Sequence, residues 1–311
     1  MATMDPQLAA ILDYLPPYPG ARAIPLEDLR AFIRQTAEAS PKYPAKLSEV
    51  RDLSITGPDG DALALRAYVP EGEGPWPVTL YYHGGGFVMG DLDSEDMITR
   101  AVAEAGQTIV LSVDYRLAPE HPHPAAAQDA YAALEWAHKN AASLGGDPQR
   151  LAVAGGSAGA VLAALTAIYA RDHGIPLKAQ LLFYGSGGCP FERLPSWHEF
   201  RDGALLNVDD IDYFWELYLG DTEARGRSPD SAPRFADLKS VSPAYVLSAE
   251  MDPTRDDAED FAQRILAAGG EVKLDRAKGM VHGFLSFLGS VDEAKQSVDR
   301  VAQWLRPRWQ V

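Results

Sequence analysis

Ser157 lies in Gly155-Gly156-Ser157-Ala158-Gly159, between two segments of different character. Before it runs Leu151-Ala152-Val153-Ala154, an apolar strand-like run, and after it Ala160 to Tyr169 reads as a helix. A serine between a buried strand and a helix, with glycines two residues away on each side, is arranged as a nucleophile. The turn is so tight that side chains at the flanking positions would strike the strand or the helix, hence glycine. Such a turn lifts the hydroxyl clear of the sheet and sets it near a helix N-terminus, where developing negative charge is favoured. By itself the pentapeptide is also compatible with an ordinary flexible glycine turn.

A second glycine cluster supplies what a serine nucleophile needs next. His83-Gly84-Gly85-Gly86 follows the strand-like run Val78-Thr79-Leu80-Tyr81-Tyr82. Attack on an acyl carbonyl passes through a tetrahedral oxyanion, which fixed backbone N–H donors stabilise by about 3–4 kcal/mol each. Consecutive glycines let the chain approach the substrate closely. The donors expected here are the amides of Gly85, Gly86 and Ala158, with Gly84 shaping the loop and His83 anchoring it. A phosphate-cradling loop would need GxxxxGK[ST] or GxGxxG, and neither is present.

An acid and a base follow in order. The apolar run Ala244 to Ala249 ends at Glu250-Met251-Asp252-Pro253, and Glu271 to Asp275 leads to Gly279-Met280-Val281-His282. Ser157, then Asp252, then His282, each just past a strand, is a workable triad order: His282 as base, Asp252 as its orienting partner. Glu250 is the alternative acid if its strand ends earlier, and Asp256 and Asp257 fall in the helix expected over 254–268. His121, His123, His138, His173 and His198 follow no late strand.

At this point the chain resembles the hormone-sensitive-lipase-like esterases, bacterial family IV of the α/β-hydrolase superfamily. The strings that carry the resemblance are His83-Gly84-Gly85-Gly86-Phe87, Asp114-Tyr115-Arg116-Leu117-Ala118-Pro119-Glu120-His121-Pro122, Gly155 to Gly159, Asp252-Pro253-Thr254-Arg255-Asp256 and His282-Gly283-Phe284. The resemblance as a whole covers roughly residues 50 to 305. Two positions depart from the family pattern: Gly156 stands where an aspartate is usual, and Ala160 where a glycine is usual. The resemblance implies a carboxylesterase acting on short- to medium-chain acyl esters without metal or cofactor, and homodimers through the last strand. An amide, formamide or lactone hydrolase of the same mechanism remains an alternative, as does a non-catalytic small-molecule receptor. Receptor relatives have lost the triad histidine, and His282 is present here.

The surrounding elements must position these groups. Strands are expected over 53–56, 63–69, 78–82, 108–114 and 179–184, with helices over 93–105 and 125–142. Alternation of this kind gives the α/β class, a mostly parallel central sheet flanked by helices and opened by an antiparallel hairpin, and the resemblance implies that it is an α/β-hydrolase fold. Residues 1–45, broken by Pro16, Pro17, Pro19 and Pro25, are expected to form the N-terminal part of a helical cap. The catalytic domain takes 46–188 and 226–311, and the aromatic insertion at 189–225 forms the second part of the cap, with a helix over 208–219. Phe87, Tyr184, Leu206, Phe214 and Phe284 are expected to line a substrate pocket.

Composition narrows the partners. Of 311 residues, 46% are hydrophobic, enough for a large core. A formal net charge of −16 disfavours nucleic acid and anionic membrane surfaces and says little about substrate; the small-molecule ester expected as partner is what the motifs and the resemblance imply. Cys189, the single cysteine, excludes an intramolecular disulfide and is expected to be a buried or half-buried thiol. The start, Met1-Ala2-Thr3-Met4-Asp5-Pro6, has neither the basic residues nor the apolar run of a signal peptide, so a cytoplasmic setting without membrane insertion is expected.

Overall fold

The computed structural model describes residues 2–15, 18–39, 42–185, 187–188, 191–220 and 223–310. Cys189 lies outside them, and so does the expectation about its thiol.

Runs such as Ile109–Val113, buried at every position, suit strands covered on both faces. Among the described residues eight strands form one sheet: β1 (Leu47–Thr56), β2 (Ala62–Pro70), β3 (Trp76–Tyr82), β4 (Ile109–Val113), β5 (Gly146–Gly156), β6 (Leu177–Phe183), β7 (Ala244–Ala249) and β8 (Val272–Ala277). Their order across the sheet is β1-β2-β4-β3-β5-β6-β7-β8. The β1–β2 hairpin is antiparallel, β2 also runs antiparallel to β4, and the remaining pairs are parallel.

The described helices are α1 (Pro6–Leu12), α2 (Leu26–Ala39), α3 (Asp96–Gly106), α4 (Ala125–Asn140), α5 (Ala158–Asp172), α6 (Pro195–Glu199), α7 (Val208–Leu219), α8 (Glu223–Gly226), α9 (Arg255–Ala267) and α10 (Asp292–Leu305). Alternation along the strands divides the core into two layers. Leu80, Tyr82 and Val153 face α4, α5 and α9, whereas Tyr81, Ala152 and Ala154 face α3 and α10.

Register then sets the working edge. Tyr82 pairs with Gly155, Gly156 with Phe183, and Ala249 with Ala277, so β3, β5, β7 and β8 all end on the same side. The loops carrying His83, Ser157, Asp252 and His282 leave from that side, where open α/β sheets bind their ligands.

The described residues up to Ala39 divide between two places. Near α1, the Asp5 amide donates to Gly279 O at 3.1 Å, and Gln7 and Asp292 bond one another at 3.1 and 2.9 Å, so α1 sits against the loop after β8 and α10. The segment after α1 goes elsewhere: the Ala21 amide donates to Asp210 at 2.6 Å, Arg22 pairs with Glu216 at 2.6 Å, and Arg30 donates to Val88 O and Ala118 O at 2.7 and 2.8 Å. It therefore packs on α7 and on the loops after β3 and β4. Helix α7 spans the residues its pattern predicts. The Asn207 side chain accepts from the Asp210 amide at 2.8 Å, and Asp209 and Asp210 in the first turn favour the helix dipole.

Candidate active site

The turn between β5 and α5 is as tight as its glycines require. Ser157 adopts φ 54° and ψ −119°, a conformation that carries roughly 1–3 kcal/mol of strain in a non-glycine residue. A Cβ on Gly155 would fall 2.2 Å from Gly159 O, and one on Gly159 would fall 1.9 Å from Tyr82 O. Neither position accepts any other residue without moving the backbone. The Ser157 amide donates to Phe183 O at 2.8 Å, which pins the turn to β6.

Three residues from three strand ends meet above this turn. His282 Nε2 lies 2.8 Å from Ser157 Oγ, and His282 Nδ1 lies 2.8 Å from Asp252 Oδ2. Asp252 is fully buried, and its other oxygen accepts from the Thr254 amide at 2.7 Å and the Thr254 hydroxyl at 2.9 Å. The other acids weighed from the sequence are engaged elsewhere. Glu250 accepts from the Gly279 amide at 2.8 Å, Asp256 from the Ser196 amide at 2.8 Å, and Asp257 from Arg234 at 2.7 Å. Among the other histidines, His123 bonds Tyr218 at 3.2 Å, His138 bonds Pro148 O at 3.4 Å and His173 bonds Tyr169 O at 2.9 Å.

The glycine loop after β3 is held from below. His83 is fully buried, its Nδ1 lies 2.7 Å from Gly84 O, and its ring stacks on Tyr115 with centroids 4.2 Å apart. Tyr115 also donates to His83 O at 2.7 Å. Burial lowers the His83 imidazole to about 4, so it is neutral at physiological pH. Gly85 and Gly86 have φ of 114° and 61°, and a Cβ on Gly86 would fall 2.5 Å from the Phe214 ring. Ala158 opens α5, so its amide is one of the N–H groups that no preceding helical turn can satisfy. Arg116 is half-buried and braces the neighbouring loop through Asp129 at 2.9 Å.

A cavity of ≈ 220 Å³ opens over Ser157 and His282. Phe87, Tyr184, Leu206 and Phe214 line it. Phe284 does not: it is fully buried in the core beneath, edge-on to Tyr184 with centroids 5.9 Å apart. Gly283, at φ 73°, turns the chain away from the cavity before Phe284. The lining also includes Trp197, Leu205, Ile211 and Trp215 from the aromatic insertion, together with Tyr18 and Glu95. The run of aromatics in α7 was a signal for Trp215; Glu95 and Tyr18 had none. Among the described residues no group of three or more His, Cys, Asp or Glu is placed to hold a metal ion, and no helix is long and apolar enough to cross a membrane.

A family described as alpha/beta hydrolase fold matches residues 79–286. The chain belongs to the α/β-hydrolase family. Within it, the chain falls in the hormone-sensitive-lipase-like branch. It is 41% identical over 302 residues to carboxylesterase NlhH of Mycobacterium tuberculosis, covering 96% of this chain and 93% of that protein. It is 33% identical over 316 residues to an ethyl acetate hydrolase of Pseudomonas putida, covering 98% and 99%. Among solved structures it resembles a hyperthermophilic esterase from Pyrobaculum calidifontis, with a TM-score of 0.91, 34% identity and 98% of both chains covered.

Proposed function

We propose that this α/β-hydrolase is a serine carboxylic-ester hydrolase acting on short- to medium-chain acyl esters. The observation that carries the reading is the hydrogen-bonded chain Ser157–His282–Asp252, 2.8 Å at each link, at the floor of a largely apolar cavity. Esterase relatives across nearly the whole chain support it.

In this reading His282 Nε2 takes the proton from Ser157 Oγ as the oxygen attacks the ester carbonyl. The amides of Gly85, Gly86 and Ala158 receive the oxyanion. His282 returns the proton to the departing alcohol, leaving an acyl-enzyme on Ser157. Water then attacks with His282 again as base. Asp252 holds the imidazole tautomer and offsets its positive charge, and Thr254 fixes the Asp252 carboxylate in turn.

Cavity size supports the substrate class. At ≈ 220 Å³ it lies below the roughly 300–1,000 Å³ of pockets for drug-sized ligands, which favours small esters over long acyl chains. We assign residues 18–39 and the insertion carrying α6, α7 and α8 to a helical cap over the cavity, since Tyr18, Trp197, Leu206 and Phe214 contribute to its walls. Helix α1, bonded to the loop after β8 and to the start of α10, stands outside that cap.

The test is hydrolysis of p-nitrophenyl esters from acetate to palmitate by the wild type and by Ser157→Ala. Activity that peaks at short chains and vanishes in Ser157→Ala is the expected result. Equal activity in the two proteins would overturn the reading.

A further inference from the structure

Gly84 and Gly156 face each other across the base of the site, one in the oxyanion loop and one immediately before Ser157. A carboxyl group fills the slot that their missing side chains leave. A Cβ on Gly84 would lie 2.8 Å from Glu95 Oε1 and 3.4 Å from Ser157 Cβ, and a Cβ on Gly156 would lie 3.4 Å from the same Glu95 oxygen. Glu95 Oε2 accepts from the Tyr81 hydroxyl at 2.6 Å. The nearby Gly84 amide favours the charged form of this carboxyl. Glu95 lines the cavity beside Ser157 and His282. A carboxylate thus reaches the back of the nucleophile turn from the loop before α3, where residue 156 offers none.

We propose that Glu95 is a positioning residue of the esterase site: its carboxylate, seated between Gly84 and Gly156, ties the oxyanion loop to the nucleophile turn and favours the imidazolium that forms on His282. The proposal rests on the triad reading given above.

The surroundings make ionisation of Glu95 matter. The titratable groups around it are Tyr81 on β3, Tyr115 after β4, Tyr184 after β6 and His282 after β8. Burial raises the carboxyl to about 7, against the Tyr81 hydrogen bond, the nearby Gly84 amide and the charge of His282, which favour the anion. Below that pH a proton sits on Glu95. The loop then loses part of its acceptor and His282 loses a compensating charge. The Tyr184 hydroxyl, buried with no hydrogen-bond partner among the described residues, lies 3.1 Å from where a Gly156 Cβ would stand. A carboxylate entering from residue 156 would meet that donor, so the slot can be filled from either side. Two carboxylates in it would repel each other.

The experiment compares wild type, Glu95→Gln, Glu95→Ala, Gly156→Asp and the double variant Glu95→Ala/Gly156→Asp. Measured are kcat and KM for p-nitrophenyl butyrate from about pH 5 to 9, the unfolding temperature, and phosphonylation of Ser157 by a fluorophosphonate. The isosteric Glu95→Gln is expected to lose about tenfold or more in kcat with KM nearly unchanged, in line with a lost charge-assisted hydrogen bond. Its acid limb should titrate with one proton fewer than in the wild type. Gly156→Asp alone should also lose kcat, and the double variant should recover activity over Glu95→Ala. A Glu95→Gln variant with wild-type kcat and an unchanged acid limb overturns the proposal. So does a loss of kcat that merely tracks a fall in unfolding temperature with the acid limb intact. Wild type that is not phosphonylated at Ser157 overturns the triad reading and this proposal together. Labelling at Ser157 alongside an unaffected Glu95→Gln overturns the Glu95 proposal alone.

Discussion

Thr254 holds the outer oxygen of Asp252 with both its amide and its hydroxyl, at 2.7 and 2.9 Å, while the inner oxygen faces His282 Nδ1 at 2.8 Å. The carboxylate is therefore clamped at both oxygens, and Pro253, between clamp and acid, stiffens the turn. A hydrogen bond to a charged group contributes about 1.5–3 kcal/mol. Removing the hydroxyl while keeping the β-branched shape isolates its part. Thr254→Val should lower kcat by roughly tenfold with little change in KM, read from steady-state kinetics on p-nitrophenyl butyrate.

Asp252→Asn should be far more damaging. The amide can hold the wrong imidazole tautomer, and the corresponding change in a serine protease lowers kcat on the order of 10⁴-fold. Asp256→Asn, whose side chain caps the Ser196 amide and pairs with Arg255 instead, should stay within about tenfold of wild type. Equal losses in the two variants would mean that another acid orients His282.

Gly159→Ala tests the close packing of the turn. Its Cβ would need to occupy space 1.9 Å from Tyr82 O and 2.6 Å from His83 O, both backbone atoms that cannot swing aside. We expect destabilisation of at least about 3 kcal/mol in urea unfolding, together with loss of activity. A variant as stable and as active as wild type would contradict the described turn.

The chain-length limit should sit in the cavity wall. Phe214 is 5% exposed, and its ring lies against Gly86, so Phe214→Ala enlarges the cavity beside the oxyanion loop. The ratio of octanoate to acetate hydrolysis should rise by about tenfold or more, accompanied by a stability loss of about 3–5 kcal/mol. An unchanged ratio would place the acyl chain elsewhere.

Much of this was readable from residue order. Ser157, Asp252 and His282 stand out because each follows a strand-like run, and parallel strands end on one side of a sheet. The glycines at 84–86 and 155–159 were legible because their spacing reflects steric exclusion, which a sequence records directly. What escaped were features set by tertiary contact. Strand β1 starts at Leu47, earlier than expected, because Glu49, Arg51 and Asp52 on an edge strand break the apolar pattern while pairing with β2 continues. Phe284 looked like a pocket residue by its closeness to His282, but the turn at Gly283 sends it into the core. Nothing in the sequence marks Glu95, and only the placement of Tyr81, Gly84 and Gly156 around it shows an enclosed, part-buried carboxyl.

The most direct test of the central claim is the intact mass of the protein after reaction with a fluorophosphonate, for wild type and for Ser157→Ala. Wild type should gain a single phosphonyl group located on Ser157, and folded Ser157→Ala should gain none. An adduct on another residue, or equal labelling of Ser157→Ala, would contradict a reaction centred on Ser157.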